Sequence, residues 1–454
     1  MKVIISIFMI FLFFGCGNSS DKDIDFVQIP DEYPPKKINL PLCDESNSRV
    51  LFIKNMKDWE NINNKEKTIF CVEAGNYQAK VVEIKNTSGT KNNPRYIILN
   101  NKNNSHPAKL DAKELANVNL RFENSNYWII DRMSAMNSKN TPMLFLHSSN
   151  NIVNRHFIDN SYKGIIIRDL SHNNTIQNSR IQNMSELGRK DDLTCILLHP
   201  RDNQTEIKNT QIINNELHNC NDGFQALWRN GIDVNYEGLV LYANDISVDS
   251  SLYTNCNGSK NPNGECSYSE NAIDIKMGSN NVNNKIIIKK NNLWGFRKAD
   301  TTNSNLADAG AAIVVHYGVK NLQISENTIF NSTIGIISVD KENASYAMLD
   351  SQISDNFISN ILKYPLIVNE AFNILISKNI IINSPNEKWL TLDESKNISI
   401  QNNKIVNSIE EIAYKSSSDV REENNLFYEN EKDANLSDKS FVTNKFSNRV
   451  KISP

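Results

Sequence analysis

Six side chains in this 454-residue sequence combine reactive chemistry with a recurring position: Arg168, His199, Gln225, Asp274, Lys276 and His316. They occupy the third or fifth place of five-residue phrases that align one under another. The phrases are Gly164-Ile-Ile-Ile-Arg168, Cys195-Ile-Leu-Leu-His199, Gly223-Phe-Gln-Ala-Leu227, Ala272-Ile-Asp-Ile-Lys276, Ala312-Ile-Val-Val-His316, Gly335-Ile-Ile-Ser-Val339 and Pro365-Leu-Ile-Val-Asn369. The second and fourth places stay mostly apolar. Alternate side chains of a strand point to opposite faces, so one face is buried throughout and the other carries chemistry in a few rungs only. Lys276 and His316 fall in one column with Arg168 and His199, interrupted by Leu227, and Gln225 and Asp274 fall in the column beside it.

These residue types point to acid–base work on an anionic ligand. Arg168, Arg201, Arg229 and Lys276 can bind carboxylates. Trp228 and Tyr317 can stack on sugar faces. Asp222, Glu270 and Asp274 offer the hard oxygens that Ca²⁺ prefers. The mixture suits an acidic polysaccharide, with Gln225 as a further substrate contact. Lys276 is the first choice of base and His316 the alternative, the other serving as acid or carboxylate binder. Arg168 and His199 complete the catalytic candidates.

Positioning such columns takes a stacked scaffold. Between about 117 and 428, phrases such as Asn173-Asn-Thr-Ile-Gln-Asn-Ser-Arg-Ile181 and Asn397-Ile-Ser-Ile-Gln-Asn-Asn-Lys-Ile405 recur with a rung length of about 22 to 30 residues, within the range of solenoid coils. Strands of three to five residues cannot bury a face alone, but coil stacked on coil makes a continuous dry interior. Asparagine tolerates left-handed turns and can form ladders between coils. Crossover handedness favours a right-handed wind. The expected fold is all-β, a single right-handed parallel β-helix over residues 46–430. A capping helix is expected within Met56 to Lys67. Two rungs are oversized: the step from Gly223 to Ala272 is 49 residues and that from Ala272 to Ala312 is 40, so long loops border the polar columns.

The first residues read as an export signal, with Lys2 followed by an apolar run too short to span a membrane. Leu12-Phe-Phe-Gly-Cys16 resembles a bacterial lipoprotein cleavage site, which implies a signal peptide over 1–15 and lipidation at Cys16. Residues 16–45, polar and proline-bearing, form the expected tether, and 431–454 a polar tail. The implied location is the bacterial cell envelope, lipid-anchored at the outer membrane or cell surface, or otherwise secreted. Six further cysteines permit disulfides, with Cys256–Cys266 the first expected pair and Cys43–Cys71 a staple for the N-terminal cap. A net charge of −3 gives no bulk attraction for nucleic acid, and a monomer is expected.

Glu73-Ala-Gly-Asn-Tyr77, Ser88-Gly-Thr90 and Tyr96-Ile-Ile98 resemble the opening coil of right-handed parallel β-helix polysaccharide lyases. Asn221-Asp-Gly-Phe-Gln225 resembles the Asp-Asp-Gly-Phe-Asp calcium segment of family 9 pectate lyases, and Asn271-Ala-Ile-Asp-Ile-Lys-Met-Gly278 the segment bearing their catalytic lysine. Asn221 and Gln225 depart from the acids of that pattern. The resemblance implies a lyase cleaving a uronic-acid polysaccharide by β-elimination, with Ca²⁺ as a candidate cofactor. A glycoside hydrolase on the same fold, or a non-catalytic glycan-binding surface lipoprotein, are the alternatives.

Overall fold

Isoleucine-rich strand segments separated by asparagine turns fold as the periodicity dictates. The computed structural model describes residues 33–78, 80–100, 108–184, 193–201, 206–227, 234–249, 270–296, 310–342, 344–384, 387–431, 433–434 and 436. Within them the successive coils stack their short strands into three all-parallel sheets, of 15, 12 and 13 strands. The architecture is a right-handed parallel β-helix whose strands run from Val50 to Tyr428. One coil in the middle, for example, passes through Ile286–Lys289, Asn292–Trp294 and Ala311–His316. The sheet containing Ala311–His316 is called the site sheet below.

All seven aligned phrases pair in the expected register. Arg168 lies opposite His199, Gln225 opposite Asp274, Lys276 opposite His316, and Ser338 opposite Val368. The inward column of Ile165, Ile196, Phe224, Ile273, Ile313 and Ile336 is part of one core that runs the length of the helix. Each such side chain contributes about 2 kcal/mol by leaving water.

The Asn-Asn pairs have two distinct jobs. In Asn214-Asn215, Asn402-Asn403 and Asn424-Asn425 the first residue takes the left-handed conformation, with φ of 53°, 58° and 52°. The second points inward and joins a hydrogen-bonded ladder. Asn215, Asn244, Asn291, Asn327, Asn356, Asn379, Asn403 and Asn425 pass side-chain bonds from rung to rung. Each ladder residue from Asn244 onward also donates to a carbonyl of the preceding rung, as Asn291 does to Leu241. The ladder thereby satisfies polar backbone that the tight turns bury.

At the N-terminal end the expected helix over Met56–Lys67 is reduced to one 3-10 turn, Asp58–Asn61, which seats Trp59 in the core. Asn61, Asn63 and Asn64 follow closely, and asparagine side chains compete with a helical backbone, so the turn is not prolonged. Cys43 and Cys71 form the expected disulfide. A second, not among the expected pairs, joins Cys195 to Cys220. Cys256 and Cys266 lie outside the described residues, as does Cys16. Residues 33–43 lie against the outer face of the first sheet: Lys36 Nζ donates to Thr175 Oγ1 at 2.7 Å, and Gln177 Nε2 donates to the Lys36 carbonyl at 3.0 Å.

Candidate active site

The strand Asn271–Lys276 presents Asp274 and Lys276 on one face because they are two residues apart. The next strand, Ala311–His316, places His316 directly opposite Lys276. Asp274 is the hub. Its Oδ2 lies 3.0 Å from Lys276 Nζ and accepts from Gln225 Nε2 at 3.2 Å, and its Oδ1 lies 3.5 Å from His316 Nε2. Tyr317 stacks on His316 with ring centroids 5.1 Å apart. Asp274, Gln225 and His316 are buried and Lys276 is partly exposed, so these charges meet away from bulk water. At such positions electrostatic interactions are stronger than on an open surface.

Two phenols report the same environment. Burial, and then the charge of Asp340, push the Tyr317 hydroxyl up to about 12. Burial and then the Asp274 carboxylate raise that of Tyr236, which lies wholly inside and donates to the Leu227 carbonyl at 2.5 Å. Tyr236 thus fixes the end of the rung above Asp274. It sits in a long insert with no repeat around it, and the sequence offered no signal for it.

The other candidates are arranged around this group without joining it. Arg168 and His199 pair with one another, but the Leu227 rung separates His199 from Lys276, two steps or about 10 Å along the axis. Leu227 packs there with Val118, Leu144, Ile166 and Leu197. Arg201 is exposed, and its backbone N–H donates to Asp169 at 2.5 Å. Trp228 and Arg229 lie outside the described residues. The Cys195–Cys220 disulfide ties the strand bearing His199 to the turn that precedes Asp222–Ala226.

The expected calcium acids do not converge. Among the described residues no three His, Cys, Asp or Glu side chains come together as a metal cluster. The reason lies in the strand start. Ala272 and Ile273 both enter the core, so the outward places of Asn271 and Asp274 are three residues, about 10 Å, apart. Asp222 shares the Asn271 column, where its Oδ1 accepts from the Asn271 N–H at 3.2 Å. Glu270 is held by backbone bonds to Asn221 and Gly310. Asp274, already shared by a lysine, a histidine and a glutamine, lacks the converging oxygens that Ca²⁺ takes. The donor set of Asp222, Glu270 and Asp274 does not fit the ion.

No protein-family model matches the chain, and no curated protein matches it. Solved structures do. A mannuronic acid specific family 6 polysaccharide lyase from human gut microbiota aligns with a TM-score of 0.53 at 12% identity, over 83% of this chain and 82% of that one. The A-module of the mannuronan C-5 epimerase AlgE6 from Azotobacter vinelandii aligns with a TM-score of 0.51 at 12% identity, over 82% of this chain and 99% of that one. PfbA, a surface adhesin of Streptococcus pneumoniae, aligns with a TM-score of 0.53 at 13% identity, over 80% and 87%. At these identities the likeness is one of fold: the chain has the parallel β-helix that these proteins share.

Proposed function

We propose that the protein is a polysaccharide lyase that cleaves a uronic-acid-containing polysaccharide by β-elimination, acting at the cell envelope from a lipid anchor on Cys16. The observation that carries this reading is Asp274 holding Lys276 and His316 side by side on adjacent rungs of the outer face. Two neighbours of fold act on, or are specific for, mannuronic-acid material, which supports the substrate class.

In this reading the uronate carboxylate faces Lys276. A lysine paired with a carboxylate is an ammonium, a donor with no acceptor capacity, so it suits charge neutralisation better than proton abstraction. The base is then His316. Asp274 Oδ1 lies 3.5 Å from its Nε2, which holds the imidazole beside Lys276. His316 takes the proton from the carbon next to the carboxylate, the charge spreads onto that carboxylate against Lys276, and the β C–O bond breaks as a C=C bond forms. Tyr317, whose hydroxyl keeps its proton to about pH 12, gives that proton to the departing glycosidic oxygen. Arg168, His199 and Arg201 contact further uronates along the column. A hydrolase would need two carboxylates in catalytic roles, whereas the described acid at the centre is engaged by cations.

The test is incubation of the protein with pectate, alginate and glycosaminoglycans, with and without Ca²⁺. Ultraviolet absorbance of an unsaturated uronate is the expected result, unchanged by chelation. Reducing ends without that absorbance would point to hydrolysis. No cleavage of any substrate, with glycan affinity unaltered in Lys276→Ala, would sink the enzyme reading.

A further inference from the structure

The site sheet changes character immediately beyond His316. On its outer face Val314, Ile334, Ile337 and Ile367 form a buried apolar cluster, joined by Val339 and Tyr364. The turn that follows each strand changes too. Its left-handed position is held by Met277 and Tyr317, then by Asp340, Glu370 and Glu394 on three successive rungs. Lys341 bridges the last two acids, at 3.4 Å from Glu370 and 2.6 Å from Glu394. Asp340 and Glu342 are exposed. Asp393 adds a further carboxylate, and its ammonium partner is Lys415. Toward the other end, the strand-end column carries His199 and Arg168 with Arg201 just beyond.

Apolar outer-face clusters flank Lys276 and His316 on both sides, so the asymmetry along the helix axis lies in the charges: a polyanion meets Arg168, His199 and Arg201 on one side and a row of acids on the other. Exposed acids act over roughly one Debye length, about 8 Å at physiological salt, which covers the first rung or two beyond Tyr317. The stretch from Arg168 to His316 covers five rungs, about 19 Å, four of them with a basic side chain at the strand end and the Leu227 rung without one, enough for a short run of sugars.

We propose that the site binds the end of an acidic oligosaccharide, with the terminal units at Lys276, His316 and Tyr317 and the remainder toward Arg168, and that the acidic turn column from Asp340 to Glu394 excludes continuation of the chain. This rests on the lyase reading for its substrate class, and it makes the enzyme exo-acting.

The experiment is binding of oligouronates of increasing length to the whole protein, untagged or with a bulky group on either end. Affinity should climb until the cationic rungs are filled and then level off, and a tag on one end only should weaken binding tenfold or more. Asp340→Asn with Glu342→Gln, neutral replacements at exposed turn positions, should reduce that end discrimination. Equal binding of both tagged forms, affinity that keeps climbing with length, or no binding of any oligouronate overturns the proposal. End-selective binding without unsaturated product upholds it and defeats the lyase reading. Unsaturated product with an early fall in polymer viscosity does the reverse.

Discussion

Asp274 reaches diagonally from its own rung to His316 on the next, with Oδ1 3.5 Å from Nε2, while its other oxygen holds Lys276 at 3.0 Å. One buried carboxylate thus fixes two residues given different work. Asp274→Asn keeps the volume and removes the charge. Activity on the preferred polyuronate should fall about 10²-fold or more, the scale of a mispositioned general base. Because the three residues act as a unit, Asp274→Asn combined with His316→Gln should cost little beyond either alone. Additive losses in that double-mutant cycle would show that Asp274 serves neither partner.

Tyr317 is separable from its ring. Tyr317→Phe keeps the stack on His316 and removes the proton donor. The rate should drop about 10²-fold with KM little changed, since the donor acts on the leaving group. Burial and Asp340 hold the phenol protonated up to about pH 12, so it cannot cause an alkaline fall in rate at pH 8 to 10. Any such limb in the natural protein should persist in Tyr317→Phe, and its disappearance in the variant would assign it to the phenol after all.

The asparagine ladder makes a stability prediction. Asn291 donates to the Leu241 carbonyl and to Asn327, and its Oδ1 accepts from Asn244. Asn291→Ala leaves these buried groups without partners, at a cost of about 3 kcal/mol. Chemical denaturation should show a clearly lower midpoint. A loss below about 0.5 kcal/mol would mean that water substitutes for the amide.

The register of the site sheet was legible because it is written locally. Each phrase opens on a small residue or proline, then alternates. At Gly164 and Gly223 the reason is steric: a Cβ would approach the Cys195 and Ala272 carbonyl oxygens of the next rung. The neighbour relation of Asp274 and Lys276 followed from the two-residue period alone. What failed depended on geometry that the period does not carry. The calcium acids were named for their oxygens, and the period does not say that the paired inward residues Ala272 and Ile273 hold the Asp222 and Asp274 columns about 10 Å apart. Cys195–Cys220 joins a strand start to the turn of the following coil, which spacing along the chain does not reveal. The acidic turn column lies outside the aligned phrases, where each acid seen singly reads as a solvated surface residue.

His156 occupies the ladder column without the chemistry of a ladder residue. Its backbone N–H donates to Ser179 Oγ, and Ser179 in turn donates to Asn215, so the column continues upward from it. Among the described residues its two ring nitrogens have no hydrogen-bond partner, and it is fully buried. Burial pushes the imidazole down to about 3. The unfolded chain takes up this proton near pH 6.5 and the folded one does not, so stability is complete above 6.5 and is lost as pH falls toward 3. At pH 5 the penalty amounts to about 2 kcal/mol. His156→Asn would place an amide where it can donate to the Ile130 carbonyl, as Asn215 donates to the Ile176 carbonyl two coils on. The variant should match the natural protein or exceed it at pH 7.5 and gain about 2 kcal/mol over it at pH 5, read from unfolding midpoints at the two pH values. An unchanged difference between the two pH values would show that the acid sensitivity of the fold lies elsewhere.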